Sequence, residues 1–67
     1  MELHEKIRTV RKLKNISQVV ISKRLNITVQ SYSMKETGKR PITTNELEII
    51  CETLDISPVI FLKNNST

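Results

Sequence analysis

Several residue types are scarce in this chain of 67 residues, and each scarcity excludes a class of protein. The single cysteine, Cys51, rules out an internal disulfide, and together with the only histidine, His4, it leaves a zinc site two ligands short. No apolar run reaches the length of a membrane span, and the charged first residues lack the apolar stretch of a signal peptide. We therefore expect a cytoplasmic protein without membrane association, disulfide or metal.

Residue combinations typical of catalytic sites are also missing. The sequence shows no serine–histidine–acid set, no paired carboxylates in a buried setting and no glycine-rich phosphate loop, so we expect neither an enzyme nor a bound cofactor. The only aromatic residues are Tyr32 and Phe61. Proteins that bind single strands or RNA loops usually stack bases on aromatic side chains, so this scarcity favours duplex over single-stranded nucleic acid.

Charge and length narrow the possibilities further. Lysine and arginine total 11 against 7 acidic residues, and the net charge of +4 modestly favours a polyanionic partner. A chain this short forms one domain and buries only about 60% of its unfolded surface. Outside support is common at this size, and a second copy of the chain is the most plausible source of it.

Apolar residues recur at helical spacing along the chain, and no strand pattern competes with them. We predict a single all-α domain over residues 1–67, with helices at about 2–14, 17–25, 28–36, 43–54 and 57–62. The polar tail, residues 63–67, is expected to be flexible. In the first helix Leu3, Ile7 and Val10 form the apolar stripe, with Leu13 close to it.

Capping residues mark where these helices begin and end. Predicted N-terminal caps are Ser17, Thr28, Thr43 with Glu46 in a capping box, and Ser57 before Pro58. Asn26 stands between the second and third helices, where a left-handed residue would turn the chain tightly. Gly38, the only glycine, is expected to end the third helix in the same conformation.

The stretch from Ser17 to Pro41, SQVVISKRLNITVQSYSMKETGKRP, resembles the helix-turn-helix family of phage Cro and C1 repressors and their bacterial Xre-like relatives. The matching pattern is Ser17-Gln18, Ile21-Ser22, Leu25-Asn26-Ile27-Thr28, Gln30-Ser31-Tyr32-Ser33, Glu36-x-Gly38-Lys39-Arg40-Pro41, and then Leu47, Ile50 and Leu54-Asp55-Ile56-Ser57. Upstream, Ile7-Arg8-x3-Lys12 is similar to the family's first helix. The resemblance implies a compact five-helix, lambda-repressor-like domain whose helix-turn-helix unit spans about residues 17–36.

In this family the second helix of the unit enters the major groove of duplex DNA. The resemblance implies base contacts by Val29, Gln30, Ser33 and Met34. It implies phosphate contacts by Gln18, Thr28, Ser31, Thr37, Lys39 and Arg40. Gln30 can pair with an adenine edge, and Val29 can pack on a thymine methyl group. Related repressors also form a partly buried ion pair at the positions of Arg11 and Glu36.

Four positions depart from the family pattern. Asn26 replaces the usual turn glycine, and Ser22 replaces the alanine at a close helix crossing, so its hydroxyl needs a hydrogen-bond partner. Lys35 stands where the family has an apolar residue, and we expect its stem to cover the core while its charge reaches solvent or DNA. Tyr32 fills an aliphatic position and is expected to lie in the core, as is Cys51.

Several aliphatic residues occupy positions that are usually polar, and a small domain seldom exposes many of these without a reason. They are Val19, Val20, Ile49, Val59 and Ile60. Val59 and Ile60 are predicted to form a homodimer interface, which would place two recognition helices on successive major-groove faces of a palindromic site.

The favoured function is a DNA-binding transcriptional regulator, a repressor or small controller protein. The alternative is an antitoxin-like module that binds and neutralises a partner protein.

Overall fold

The computed structural model describes residues 1–62, which form five α-helices and, over this range, no strand. The helices are α1 Leu3–Leu13, α2 Gln18–Leu25, α3 Val29–Glu36, α4 Thr44–Leu54 and α5 Val59–Leu62. The predicted all-α class is therefore confirmed. The predicted flexible tail, residues 63–67, lies outside the described residues, and the single-domain extent over the whole chain stays a prediction.

Each helix starts where a side chain replaces the hydrogen bonds missing at its first turn. The hydroxyls of Ser17, Thr28 and Thr43 each accept a bond from the backbone N–H three residues later, at 3.3, 3.0 and 3.1 Å. Glu46 Oε1 accepts from the Thr43 N–H at 2.9 Å, which completes the predicted capping box. The Ser57 hydroxyl accepts from the Val59 N–H at 3.3 Å. The predicted ranges begin one or two residues early because they counted the caps.

Left-handed residues turn the chain between the helices. Asn26 has φ 61° and ψ 40°, as predicted, and it makes the tight turn between α2 and α3. Gly38 has φ 85° and follows the end of α3. Asn15 and Asp55 turn the chain in the same way, with φ 58° and 57°. Sequence reasoning missed these two, although short polar side chains tolerate this conformation better than most.

The core lies where α2 packs on α3 and α4 and where α1 packs on α3 and α5. Its buried apolar side chains are Ile7, Ile21, Tyr32, Leu47, Ile50, Cys51, Leu54 and Phe61. Burial also raises the pKa of the Cys51 thiol, which fits a residue that serves as core packing. The hydroxyl of Ser22 is satisfied inside its own helix, because it donates to the Val19 carbonyl at 2.9 Å.

Leu13 differs from expectation, because its side chain is 77% exposed. It lies six residues after Ile7, which places it roughly 120° around the helix from that buried side chain. Among residues 1–62, no helix combines the length and apolar character that crossing a bilayer requires.

Candidate nucleic-acid interface

One side of α3 points away from the core. Gln30, Ser33, Met34 and Thr37 follow the spacing i, i+3, i+4, i+7, which puts them on one side of a helix, and we call them the outer face of α3. Gln30, Met34 and Thr37 are exposed and Ser33 is half-buried. Tyr32 and Glu36 occupy the opposite side and are buried. The helix therefore presents amide, hydroxyl and thioether groups outward.

The remaining predicted base-contacting residue, Val29, lies at the first turn of α3 on a flank of the outer face, and it is exposed. On the other flank, Ser31 is half-buried. The hydroxyl of Thr28 is engaged as the cap, while that of Thr37 donates to the carbonyls of Ser33 and Met34 at 3.0 and 3.2 Å. Both threonine oxygens are at the ends of α3 and both residues are exposed.

Lys39 and Arg40 lie directly after α3 and are exposed. Their backbone N–H groups both donate to the carbonyl of Met34, at 2.8 and 3.2 Å, which folds the chain back under the end of the helix. The two cationic side chains therefore start from a backbone tied to the outer face of α3.

Gln18, the first residue of α2, is half-buried. Its side-chain Nε2 donates to Glu36 Oε1 at 3.0 Å, so one of its two amide hydrogens is engaged inside the protein. The backbone N–H of Gln18 is at the start of the helix, where such groups lack a partner within the helix and can face a phosphate.

A buried hydrogen-bond network centres on the carboxylate of Glu36. Arg11 Nε donates to Oε2 and Nη2 donates to Oε1, both at 2.8 Å, in a bidentate pair. The Tyr32 hydroxyl donates to Oε2 at 2.6 Å, and Gln18 supplies the fourth bond. Arg11 Nη1 also donates to the carbonyl of Ile16 at 2.8 Å. The network thus joins α1, α2 and α3 at one carboxylate.

Ionisation in this network follows from its hydrogen bonds. Burial alone would raise the pKa of Glu36, but the bonds from Arg11, Tyr32 and Gln18 outweigh it and hold that pKa below its usual 4.5. The bond to Glu36 raises the pKa of Arg11. Burial, followed by the bond to Glu36, raises the pKa of Tyr32. At neutral pH the pair is therefore ionised and Tyr32 is a neutral donor.

Sequence reasoning missed the hydroxyl contact of Tyr32, because it assigned this residue to the core alone. Tyrosine and glutamate four residues apart on one helix are neighbours, and that spacing is the signal that could have found the contact.

Lys35 was expected to carry its charge to solvent or DNA, but in the structure the charge has a partner on α4. Its Nζ lies 3.0 Å from Glu46 Oε1 and donates to the carbonyl of Pro41 at 3.0 Å, so the ammonium is paired within the protein. The physical reason is its place on the flank of α3, next to the first turn of α4, where a carboxylate is available. Burial acts to raise the pKa of Glu46. The hydrogen bonds from the Thr43 N–H and from Lys35 outweigh it, so that pKa is lowered.

Charge is distributed unevenly along the chain. Residues 6–45 contain ten of the 11 basic residues and one of the seven acidic residues, and that one is the buried Glu36. The other acidic residues are in the first five positions or from Glu46 onward. Consequently α2, α3 and the loop after α3 carry no exposed carboxylate, while α4 carries two, Glu48 and Glu52.

We predict that Gly38→Ala destabilises the protein by about 1–2 kcal/mol, because an L side chain is strained at φ 85° and because the His4 ring, 2.7 Å from the position of the added Cβ, would have to move aside. Urea unfolding measures the loss. Asn26→Gly is the control, since glycine adopts the left-handed conformation readily and should change stability by only a few tenths of a kcal/mol. An unchanged urea midpoint for Gly38→Ala would contradict this close packing.

Val59 and Ile60 lie on α5, which contributes Phe61 to the core. Their side chains are 65% and 56% exposed. Ile60 also lines a cleft of about 170 Å³ between α5 and α1, together with Met1, Val10 and Phe61. Lys6 and Thr9 line the same cleft. Its apolar residues and Val59 form a surface, which we call the α5 patch, and none of them belongs to the outer face of α3.

Comparison with known proteins agrees with this geometry. A family model described as Helix-turn-helix matches residues 7–61, a range that contains the outer face of α3 and the network around Glu36. No curated protein and no solved structure gives a significant match to the chain.

Proposed function

Because the chain belongs to the Cro/C1-type helix-turn-helix family of DNA-binding transcription regulators, we propose that it is a repressor that binds a palindromic operator as a homodimer. The observation that carries this proposal is the outer face of α3, which is exposed, free of carboxylates and followed directly by Lys39 and Arg40. Repression needs only occupancy of the operator, so this surface is sufficient for it.

Base recognition is assigned to Gln30, Ser33, Met34 and Val29. A major groove about 12 Å wide admits one helix. With the outer face of α3 in the groove, the exposed amide of Gln30 can form two hydrogen bonds with an adenine edge. Met34, one turn further along the same side, supplies apolar contact, and Val29 at the first turn can reach a thymine methyl group.

Phosphate binding is assigned to groups around α3. These are the side chains of Lys39, Arg40, Thr28 and Ser31, the hydroxyl of Thr37 after rotation away from the Ser33 and Met34 carbonyls, and the backbone and remaining amide hydrogen of Gln18. Such contacts fix the register of the protein on the duplex and add affinity for any sequence. Arg11 is assigned a structural role in the pair with Glu36, since its side chain is only 10% exposed.

The salt dependence of binding tests the phosphate assignment. We expect Lys39→Ala and Arg40→Ala each to weaken binding to all duplexes and to lower the slope of log affinity against log salt by about one unit. Arg24→Ala removes the same charge from a side chain that pairs with Glu52 of α4 at 3.0 Å, so its slope should stay at the wild-type value. Unchanged slopes for both loop variants would refute the assignment.

Dimerisation is assigned to the α5 patch. Val59 and Ile60 are exposed apolar residues of α5, and the cleft beside them offers a further apolar contact. A two-fold pairing through this surface would present two α3 helices, suited to half-sites about 34 Å apart on one side of the duplex.

We expect Ile60→Asp to give a monomer that keeps its helical content but binds a two-half-site operator much more weakly than the wild type. Sedimentation with and without operator DNA measures the oligomeric state. Leu13→Asp is the control, since Leu13 is also an exposed apolar residue but is not part of the α5 patch. A wild-type protein that stays monomeric at high micromolar concentration, even on DNA, would refute the dimer.

Exposed Val19 and Val20 on α2 support a second candidate, an antitoxin-like module that buries these side chains against a partner protein. Such a role is compatible with DNA binding through α3. Fold alone does not separate the two functions, and the outer face of α3 with its adjacent cationic loop favours the regulator.

A further inference from the structure

The loop of residues 37–41, which we call the basic loop, carries the two side chains assigned to phosphate binding after α3. Its first part is tied to the helix, because Gly38, Lys39 and Arg40 all donate backbone hydrogen bonds to carbonyls of α3. The ring of His4 also packs against Gly38. The part that leads away from α3, at Pro41, needs a different attachment.

Lys35 provides that attachment. Its Nζ donates to the Pro41 carbonyl at 3.0 Å and lies 3.0 Å from Glu46 Oε1 in α4. The same carboxylate oxygen accepts the Thr43 N–H at 2.9 Å. One ammonium group therefore connects α3, the end of the basic loop and the first turn of α4.

Burial shows that Lys35 is not a free surface cation. Its side chain is 12% exposed, and that of Glu46 is 22% exposed. Pairs this sheltered are screened less by salt than exposed pairs, and the carboxylate limits the freedom of the ammonium to reach a DNA phosphate.

We infer that Lys35 and Glu46 form a latch that holds the basic loop in its DNA-binding conformation, so that Lys35 is a positioning residue rather than a phosphate contact. This role rests on the proposed function. Ordering a loop costs conformational entropy, and a loop that is ordered before binding leaves more of the contact energy for affinity. The latch therefore acts on Lys39 and Arg40 without touching DNA.

Three variants test the latch. Lys35→Met keeps the stem and removes the charge. Lys35→Arg keeps a cation that can bond the same oxygens. Glu46→Gln weakens the ion pair but keeps a side chain that serves the capping box with Thr43, so α4 should retain its first turn. If Lys35→Met does not fold, Glu46→Gln carries the test alone.

Two measurements are compared. Hydrogen exchange of the Lys39 and Arg40 amides, without DNA, reports whether the loop stays ordered, and we expect it to become about tenfold faster in Lys35→Met and Glu46→Gln. Affinity for duplex DNA should fall about fivefold in both, for every sequence. The salt slope should stay at the wild-type value in both variants, unlike that of Arg40→Ala. Lys35→Arg should resemble the wild type.

A salt slope lowered by about one unit in Lys35→Met would overturn the inference, because it would show that Lys35 contacts a phosphate itself. Unchanged exchange and affinity in both Lys35→Met and Glu46→Gln would overturn it as well. Failure of the proposed function is a distinct result, since the wild-type protein would then bind no duplex, whatever the exchange rates of its loop.

Discussion

Replacing Gln30 by glutamate will abolish sequence-specific binding to duplex DNA while leaving the fold intact. Gln30 is exposed on the outer face of α3, so the change alters neither packing nor an internal hydrogen bond. A carboxylate there cannot donate to an adenine edge and faces the negative potential of the groove. One good base contact contributes roughly 1–3 kcal/mol, and a dimer loses one in each half-site as well as gaining two repulsive charges, so we expect a loss of more than about 100-fold. Titration of a labelled operator measures it.

A matched control separates the effect of the position of Gln30 from the effect of the change in net charge. Arg24→Gln lowers the net charge by the same unit, but Arg24 pairs with Glu52 on α4, and it should reduce affinity only several-fold. The two variants should unfold at nearly the wild-type urea concentration. If Gln30→Glu bound operator as tightly as Arg24→Gln, the outer face of α3 would not be in the groove.

The second large effect concerns the network around Glu36. Arg11→Met removes both donors of the bidentate pair and leaves a carboxylate that is 1% exposed without its counter-charge. Breaking a buried pair from one side costs about 3–5 kcal/mol. Domains are stable by only about 5–15 kcal/mol, and a small one lies toward the lower end, so the variant should be close to unfolding at 25 °C. Urea unfolding monitored by circular dichroism measures the loss.

Two controls accompany this variant. Adding Glu36→Gln removes the uncompensated charge and keeps an acceptor for the Tyr32 hydroxyl, so the double variant should recover much of the lost stability. Arg24→Met breaks an ion pair of similar length, 3.0 Å, whose side chains are 52% and 74% exposed, and it should cost less than about 1 kcal/mol. An Arg11→Met protein with unchanged unfolding free energy and DNA affinity would show that the network does not hold the helices together.

Local features of the fold were predictable because their physical causes are local. A serine or threonine before a helix caps it whatever lies elsewhere in the chain, and Ser17, Thr28 and Thr43 do so. The turn at Asn26 follows from the tolerance of asparagine for positive φ. Apolar spacing placed Leu3, Ile7 and Val10 on one side of α1, and in the structure Ile7 is in the core with the other two packed against it.

Features that depend on how helices pack against one another were harder to predict from the sequence. The ammonium of Lys35 was expected in solvent or at DNA, yet its partner Glu46 is on another helix, 11 residues along the chain. The contact of Gln18 with Glu36 likewise joins two helices at a distance set by the turn between them. Sequence spacing fixes neighbours within a helix but not across a helix crossing.

The candidate interface was a prediction from family resemblance, and its residue-by-residue roles remain proposals. Charge patterning alone gave a modest preference for a polyanion, because net charge does not say where the charges lie. In the structure, the only acidic residue between residues 6 and 45 is turned inward, which leaves α3 and the basic loop with an uninterrupted non-acidic surface. That distribution, rather than the net charge of +4, is what favours a DNA duplex as the partner.

Selection of bound duplexes from a random DNA pool, carried out in parallel with the wild type and with Gln30→Ala, tests the groove-binding role of α3 most directly. The wild type should enrich an inverted repeat with half-sites about one helical turn apart. Gln30→Ala should enrich the same repeat with discrimination lost at one base pair in each half-site. No enriched sequence for the wild type, or an identical preference in the variant, would contradict base recognition by this helix.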